Sequence, residues 1–443
     1  MKTLWTRFLS LSLTLGLSAS SLAGGPVKTD MLGTPIHWAP DANIVYNPEN
    51  EGLRSDAGYG VEKTMSMLKE AFSVWTSVPG VQLKASQGSF LNNGSPVTLE
   101  NFASIFYGGT KDCYPNLVGP TNIPCVSPII FDPDGSIIES LFGECSQFGI
   151  LAVANVDDMY NGASDPERLI VKRGRAIFSG ACISPVVSKS GCGTCAPMSE
   201  SEVRTMLTHE IGHLLGMGHS QVNPKSLEAC DTGHCDSKNS QAFPSMFPRT
   251  VSGSTMYQLH RDDVSYFQSM YAPQVSSGYC SISGKVALSD GSGAEGIEVV
   301  ARNIDPAQEL SDAVSGISGR NSPHDIKGNC TGDCDKYFVT GLKPGNTYKL
   351  CAQKINPVFK DISNSNLQTN KSYQSFNDYC PDGMTVQCSC SDPTHCPTFN
   401  DKNMMLTSGG TVSTPSVNQS TTPTTSTPAT PSASGCSLNR DLN

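Results

Sequence analysis

The stretch His-Glu-Ile-Gly-His-Leu-Leu-Gly-Met-Gly-His-Ser, residues 209–220, places three of the chain's eight histidines within eleven residues. On a helix, the side chains of His209 and His213 leave the same face one turn apart. Gly216 permits the chain to turn away at the end of that helix, so that His219 approaches from another direction. Three neutral imidazoles leave the fourth position of a zinc ion open to water, which is typical of a catalytic site.

Glu210 follows the first histidine, where its carboxylate is placed to accept a proton from a metal-bound water. The alternative is a surface helix with incidental histidines, which would be the better interpretation of a lone histidine pair. The full pattern H-E-x-x-H-x-x-G-x-x-H arises by composition in only about one chain in 10⁵ of this size. The sequence therefore predicts a zinc site with His209, His213 and His219 as ligands and Glu210 as the catalytic base.

The helix that carries the motif has a clear start in the sequence. Ser199 is a capping residue, and Glu202 stands three positions later to complete a capping box. Met198 and Val203 have the spacing of a hydrophobic staple. We expect this helix to run from about residue 200 to Leu215.

Residues 1–23 have the order of a secretory signal peptide. Lys2 and Arg7 supply the positive start, an apolar stretch follows over 8–17, and Ser21-Leu22-Ala23 offers the small residues of a cleavage site. No segment approaches the roughly 20 apolar residues that a membrane helix needs. We expect the protein to be secreted, extracellular or at the cell surface, with no membrane span.

The seventeen cysteines agree with export, because disulfides persist in oxidising compartments. Two even groups with Cys436 left over predict two separately stapled domains. In an exported chain, Cys192 and Cys195 are better explained as a structural disulfide loop than as half of a zinc site or a redox pair. Cys230 and Cys235 are predicted to form a local bridge. The first group is Cys113, Cys125, Cys145, Cys182, Cys192, Cys195, Cys230 and Cys235, and the second is Cys280, Cys330, Cys334, Cys351, Cys380, Cys388, Cys390 and Cys396.

A net charge of −10 argues against nucleic acid or an anionic membrane as partner. The one basic patch, RLIVKRGR at 168–175, alternates with apolar residues. This pattern favours a strand with a charged outer face over a binding surface.

The periodicity of apolar residues predicts the main elements. Helices are expected at 61–75 and 262–270, and strands at 43–46, 81–83, 150–156 and 176–178, with a loop-rich stretch at 86–148. Beyond Pro273, alternating runs separated by Gly and Pro turns predict a small β-sandwich, with strands at 283–288, 296–302, 337–340 and 347–352. Four segments result: a signal peptide (1–23), a zinc metallopeptidase catalytic domain (24–275), a Cys-rich β-sandwich domain (279–400) and a flexible Ser/Thr/Pro-rich tail (401–443).

The histidine motif resembles that of the metzincin zinc peptidases, and Ser220 directly after the third histidine is similar to the matrixin branch. The resemblance implies an α/β (α+β) catalytic domain with a mixed twisted sheet and an active-site helix. It also implies a methionine in a tight turn beneath the metal, for which Met246 in Ser-Met-Phe-Pro is favoured over Met256. WAPDANIVYNP at 38–48, followed by the 61–75 helix, is similar to the opening of matrixin catalytic domains.

Residues 129–143, IIFDPDGSIIESLFG, resemble the matrixin loop that holds structural ions. The resemblance implies calcium ligands at Asp132 and Asp134, while an Asp-Pro-Asp-Gly turn without a metal explains the same residues equally well. The cysteine-bearing insertions at 182–195 and 228–236 depart from the compact family form. Loop-dependent substrate preference therefore does not carry over.

The sequence predicts a secreted zinc-dependent endopeptidase that hydrolyses an extended protein or peptide substrate lying along an edge strand. The alternative is a surface adhesin or binding protein with a vestigial zinc site, against which the intact Glu210 argues. Only twelve residues separate Ala23 from Ile36, where the fold is expected to begin. That distance is too short for a folded prodomain, so we expect the enzyme to be active on export.

Overall fold

The computed structural model describes residues 25–108, 125–157, 170–183, 192, 195–231, 235–325, 329–355, 380–392, 394–406 and 436–439. The predicted signal peptide and most of the predicted tail lie outside the described residues. In the part of the chain that is described, no helix is long and apolar enough to cross a membrane.

Residues 25–276, the N-terminal region, mix helices and strands. The helices are α1 (Val61–Thr76), α2 (Phe102–Phe106), α3 (Ser136–Phe142), α4 (Glu200–Leu214), α5 (Ser226–Asp231), α6 (Ser237–Ser240), α7 (Arg261–Tyr271) and α8 (Pro273–Ser276). The strands are β1 (His37–Trp38), β2 (Asn43–Pro48), β3 (Lys84–Gln87), β4 (Ser127–Asp132), β5 (Ile150–Val156), β6 (Ile170–Val171) and β7 (Gly174–Ser179).

Residues 280–406, the C-terminal region, consist mainly of strands. They are β8 (Cys280–Leu288), β9 (Ile297–Asn303), β10 (Ala313–Ile317), β11 (Lys336–Leu342), β12 (Thr347–Lys354), β13 (Thr385–Gln387), β14 (Thr398–Phe399) and β15 (Met404–Leu406). One further strand, β16 (Cys436–Asn439), lies near the end of the chain.

The N-terminal region is built around a mixed six-stranded sheet of order β16-β5-β7-β4-β2-β3. Strands β3, β2, β4 and β7 run parallel to one another, whereas β5 runs antiparallel to β7 and β16 runs antiparallel to β5. The fold is therefore of the mixed α/β class, with the antiparallel strands at one side of the sheet.

Alternate residues of the central strands enter two different cores, as the two-residue period of a strand requires. Ile129 and Phe131 of β4 pack in the core that also holds buried side chains of α1 and α4. Ile130, between them, packs in a second core with residues of α2 and α3. The sheet thus separates two helical layers, and α4 lies in the first of them.

Several predicted elements are confirmed, and two are corrected. The strand predicted at 81–83 begins at Lys84, because its position is set by pairing with Asn43–Tyr46 of β2 rather than by the apolar residues before it. The stretch 86–148, predicted to be loop-rich, contains the fully buried β4. In the described part of the basic patch, Lys172 is exposed, but Arg173 and Arg175 are buried and form ion pairs with Asp157 instead of lining an outer face.

The C-terminal region consists of two sheets that share one core. The first has the order β10-β9-β12-β13, and in the second β8 pairs with β11, β14 and β15. Side chains of both sheets, such as Val299 and Leu350 from the first and Ile282 and Val339 from the second, enter the same buried cluster.

The disulfides between described residues keep to the two predicted cysteine groups. In the first group, Cys145 bonds Cys192, Cys182 bonds Cys195 and Cys230 bonds Cys235. Cys192 and Cys195 are therefore structural disulfides, but they do not bond each other, which corrects the predicted local loop. In the second group the pairs are Cys280–Cys388, Cys330–Cys334, Cys351–Cys380 and Cys390–Cys396.

The two regions are joined by a buried polar interface beside α7. The Asp262 carboxylate accepts a hydrogen bond from Ser220 Oγ (2.5 Å) and another from the Ser315 N–H of β10 (2.6 Å). Glu298 of β9 is fully buried and accepts a hydrogen bond from Gln353 of β12. Asp262 therefore links the C-terminal region to Ser220, the residue that directly follows His219.

Candidate metal centre

Helix α4 presents the first two histidines. Its capping box is present, since Ser199 Oγ accepts the Glu202 N–H (3.3 Å) while the Glu202 carboxylate accepts the Ser199 N–H (2.7 Å). Against α1, the Trp75 indole donates to the carbonyl of Thr208 (2.9 Å), next to His209. The predicted start of the helix is confirmed, and α1 holds the backbone directly before His209.

The three predicted ligands converge on one point. Nε2 of His219 lies 3.1 Å from Nε2 of His209 and 3.1 Å from Nε2 of His213. Tetrahedral coordination with zinc–nitrogen distances of about 2.0–2.1 Å separates ligand nitrogens by roughly 3.3 Å. The observed spacing fits a small cation such as zinc, and these residues form a group that could hold a metal ion.

The other ring nitrogens fix the tautomers of two of these imidazoles. His209 Nδ1 donates to the carbonyl of Ser245 (2.7 Å), and His213 Nδ1 donates to the carbonyl of Met217 (2.8 Å). Each Nε2 is then unprotonated, with its lone pair directed toward the point of convergence. Backbone carbonyls in these places orient histidines for metal binding.

Burial disfavours the charged form of all three imidazoles. It lowers the pKa of His209 and His219 well below the usual range, and the neighbouring imidazoles lower it further. The pKa of His213 is lowered to about 4, mainly by burial. All three side chains are therefore neutral at pH 7, as metal ligands must be. Glu210, on the same helix, is also fully buried.

The turn between the second and third ligands depends on Gly216 and on the start of the described chain. Gly216 has a φ of +91°, which favours glycine over other residues. Its carbonyl accepts the Val27 N–H (2.7 Å), and the Gly218 N–H donates to the carbonyl of Gly25 (2.7 Å). Residues 25–27 thus hold the turn that directs His219, a role that no motif in the sequence indicated.

Met246 lies beneath the histidines. A Cβ atom placed on Gly212, between the two helical ligands, would stand 2.3 Å from Met246 Sδ. The carbonyl of Met246 also accepts the Ser220 N–H (2.8 Å). Met256 packs in a different cluster. The favoured methionine is therefore the one against the ligand helix, and Gly212 is the residue that permits the approach.

Asp263 fixes the backbone around Met246. Its carboxylate accepts the N–H groups of Ser245 (2.7 Å), Met246 (3.2 Å) and His260 (2.8 Å). The pKa of Asp263 is raised to about 7, mainly by burial and secondly by the nearby Asp262. This carboxylate was missed in the sequence, where Asp262 and Asp263 look like ordinary acids of a helix's first turn.

The two residues considered for calcium have backbone partners in a turn. Asp132 accepts the N–H of Ile138 (2.9 Å), and Asp134 accepts the N–H of Ser136 (3.0 Å). Burial raises the pKa of Asp132 to about 6. Among the described residues, neither carboxylate belongs to a group of three metal-ligating side chains. The geometry is that of the Asp-Pro-Asp-Gly turn, and calcium binding stays a prediction.

Two other groups bring metal-ligating side chains together, and disulfides explain both. Cys280, Cys388, Cys390 and Cys396 are two adjacent disulfides. The third group contains Glu295, His324 and Cys330, of which Cys330 is bonded to Cys334. Of the groups that the described residues form, the histidine group alone keeps three available ligand atoms.

Comparison with protein-family models found no match, and comparisons with curated proteins and with solved structures found none either.

Proposed function

We propose that this protein is a secreted zinc-dependent endopeptidase with a metzincin-like, matrixin-like catalytic domain. The observation that carries the proposal is the convergence of three Nε2 atoms, two of them on imidazoles whose Nδ1 atoms donate to backbone carbonyls. The mixed sheet, the Gly216 turn and Met246 under the ligand helix support the same assignment. The two sheets with one core support a β-sandwich for the C-terminal domain.

The proposed mechanism assigns separate tasks to the residues. His209, His213 and His219 would hold the ion. Zinc bound in this way supplies a Lewis acid and lowers the pKa of a coordinated water to about 7. The Glu210 carboxylate accepts a proton from water as the carbonyl is attacked, and then delivers it to the leaving amine. The side of β5 that faces away from β7, which pairs with β16 in this structure, would orient an extended peptide by main-chain hydrogen bonds.

The test separates metal binding from catalysis. The exported protein should contain one zinc per chain by elemental analysis and should cleave members of a peptide library, with activity lost to a chelator. Glu210→Ala should retain zinc and lose about 10²–10⁴-fold in kcat/KM, because it removes the general base and leaves the ligands. His213→Ala should lose both metal and activity.

Glu200→Ala is the matched control, since Glu200 lies half-exposed on the same helix and makes surface ion pairs of small energetic value. Its metal content and activity should equal those of the wild type. Near-normal cleavage by Glu210→Ala would refute the assigned role. A wild-type protein that binds zinc but cleaves no library peptide would instead favour the binding-protein alternative.

A further inference from the structure

Strand β16 occupies the outer edge of β5. Residues 436–439 pair antiparallel with 150–154, in the register Cys436↔Ala154, Ser437↔Val153 and Leu438↔Ala152. In sequence this strand follows a Ser/Thr/Pro-rich stretch, residues 407–435, with few apolar groups. The pairing was not expected, because the whole of 401–443 was predicted to be a flexible tail.

The edge of β5 is a template for an extended peptide. The other side of β5 pairs with β7, so that without β16 its outer backbone groups would lie at the end of the sheet. Such an edge binds an added strand through main-chain hydrogen bonds, largely independently of the side chains. It accepts a segment of this chain for the same reason that it would accept a peptide substrate.

Strand β16 also lies beside the helix that carries two of the three histidines. Cα atoms of β16 come within 8 Å of Cα atoms of α4, the helix that carries His209, Glu210 and His213. In the same structure these three side chains and His219 have no exposed surface. In the arrangement that includes β16, the protein therefore covers the three histidines and Glu210 completely.

We propose that the C-terminal segment 436–439 is an intramolecular ligand of the β5 edge, which keeps peptide substrate from the metal centre until the segment leaves. The effect on peptide substrate rests on the proposed function, whereas the docking of 436–439 on β5 does not. It replaces the expectation that the enzyme is active as soon as it is exported.

A four-residue strand binds weakly by itself, but this one is attached to the chain. Flexible linkers produce effective concentrations of about 1 mM, so a segment whose free Kd is about 0.1 mM leaves roughly one molecule in ten open. Removal of the segment should then raise kcat/KM about tenfold, and free peptide at millimolar concentration should reverse the gain.

The first experiment measures docking without catalysis. Amide hydrogen exchange in peptides that cover β5 should be faster in a variant truncated after Gly435 than in the full chain, while β4 should be unchanged. Leu438→Pro should have the same effect, because proline lacks the N–H that a ladder needs. Val417→Pro, in the Pro-rich stretch, is the matched control and should leave the exchange as in the wild type.

The second experiment adds a labelled peptide of residues 435–443. It should bind the truncated protein, detected by fluorescence anisotropy, and should not bind the full chain. Equal exchange at β5 in all variants, or no binding by the truncated protein, would overturn the proposal. If residues 436–439 dock on β5 but no variant cleaves a peptide, the docking stands and the proposed function is refuted.

Discussion

At the scale of single residues, the pKa of the Glu298 carboxyl is shifted at the interface between the two regions. Glu298 is fully buried on β9, where its neighbours are Gln353 and, through charge, Asp262. Its pKa is raised to about 8, mainly by burial and to a smaller extent by the charge of Asp262. The unfolded chain holds this carboxyl at its ordinary pKa of about 4.3. The folded state therefore binds more protons between these values, and the stability contributed by Glu298 falls as pH rises through that window.

We expect Glu298→Gln to remove this pH dependence, since glutamine keeps an acceptor for Gln353 and does not ionise. The free energy of unfolding of the variant relative to the wild type should increase from pH 5 to pH 8 by up to about 3 kcal/mol. Urea denaturation at several pH values measures it. Glu309→Gln, at a half-exposed position, is the control. A difference independent of pH would show that Glu298 is ionised in the folded protein.

At the scale of elements, α4 was predictable and its surroundings were not. The capping box and the histidine spacing specify the helix and its ligands locally. The buried strand β4 was missed because a parallel strand covered on both faces has no polar alternation. The support from the Ser245 carbonyl, the Asp263 carboxylate and the backbone of residues 25–27 comes from groups far away in sequence, which no local pattern encodes.

The N-cap of α4 gives a prediction at this scale. Ser199→Ala removes the acceptor of the Glu202 N–H and should cost about 1 kcal/mol of stability. Zinc stoichiometry should remain unchanged, because the ligands lie more than two turns further along the helix. Denaturant unfolding and elemental analysis measure the two quantities. Ser73→Ala, at an exposed position inside α1, should be neutral or slightly stabilising. A variant that lost zinc would mean that the cap positions the ligands.

At the scale of the whole molecule, the disulfides separate two regions that the packing unites. The cysteine groups predicted separately stapled domains, and the described bridges do stay within each group. The contact of Asp262 with Ser315, by contrast, joins residues 53 positions apart. Val222 also packs with Val300 and Ala313 in a small buried cluster. Neither contact had a signal in the sequence, because each partner looks like an ordinary surface or strand residue.

A fragment ending at Ser276 should therefore be less stable than the full chain. It leaves Asp262 without the Ser315 hydrogen bonds, each worth about 1.5–3 kcal/mol when the acceptor is charged. Ser315→Ala in the full chain removes the side-chain donor only and should lower stability by a smaller amount. Thermal unfolding measures both proteins. Equal thermal unfolding midpoints for the fragment and the full chain would show that the two regions are stable independently, as the cysteine groups suggest.

The interleaved bridges Cys145–Cys192 and Cys182–Cys195 have a consequence for oxidation of the newly made chain. Closing a short loop costs less entropy than closing a long one. Cys192 and Cys195, separated by two residues, therefore meet each other sooner than they meet Cys145 or Cys182, which lie 47 and 13 positions from their partners. We therefore expect the first bridge to form here to be the non-native Cys192–Cys195 bridge. Maturation requires thiol–disulfide exchange, and the yield of native protein should depend on an isomerase or a thiol buffer.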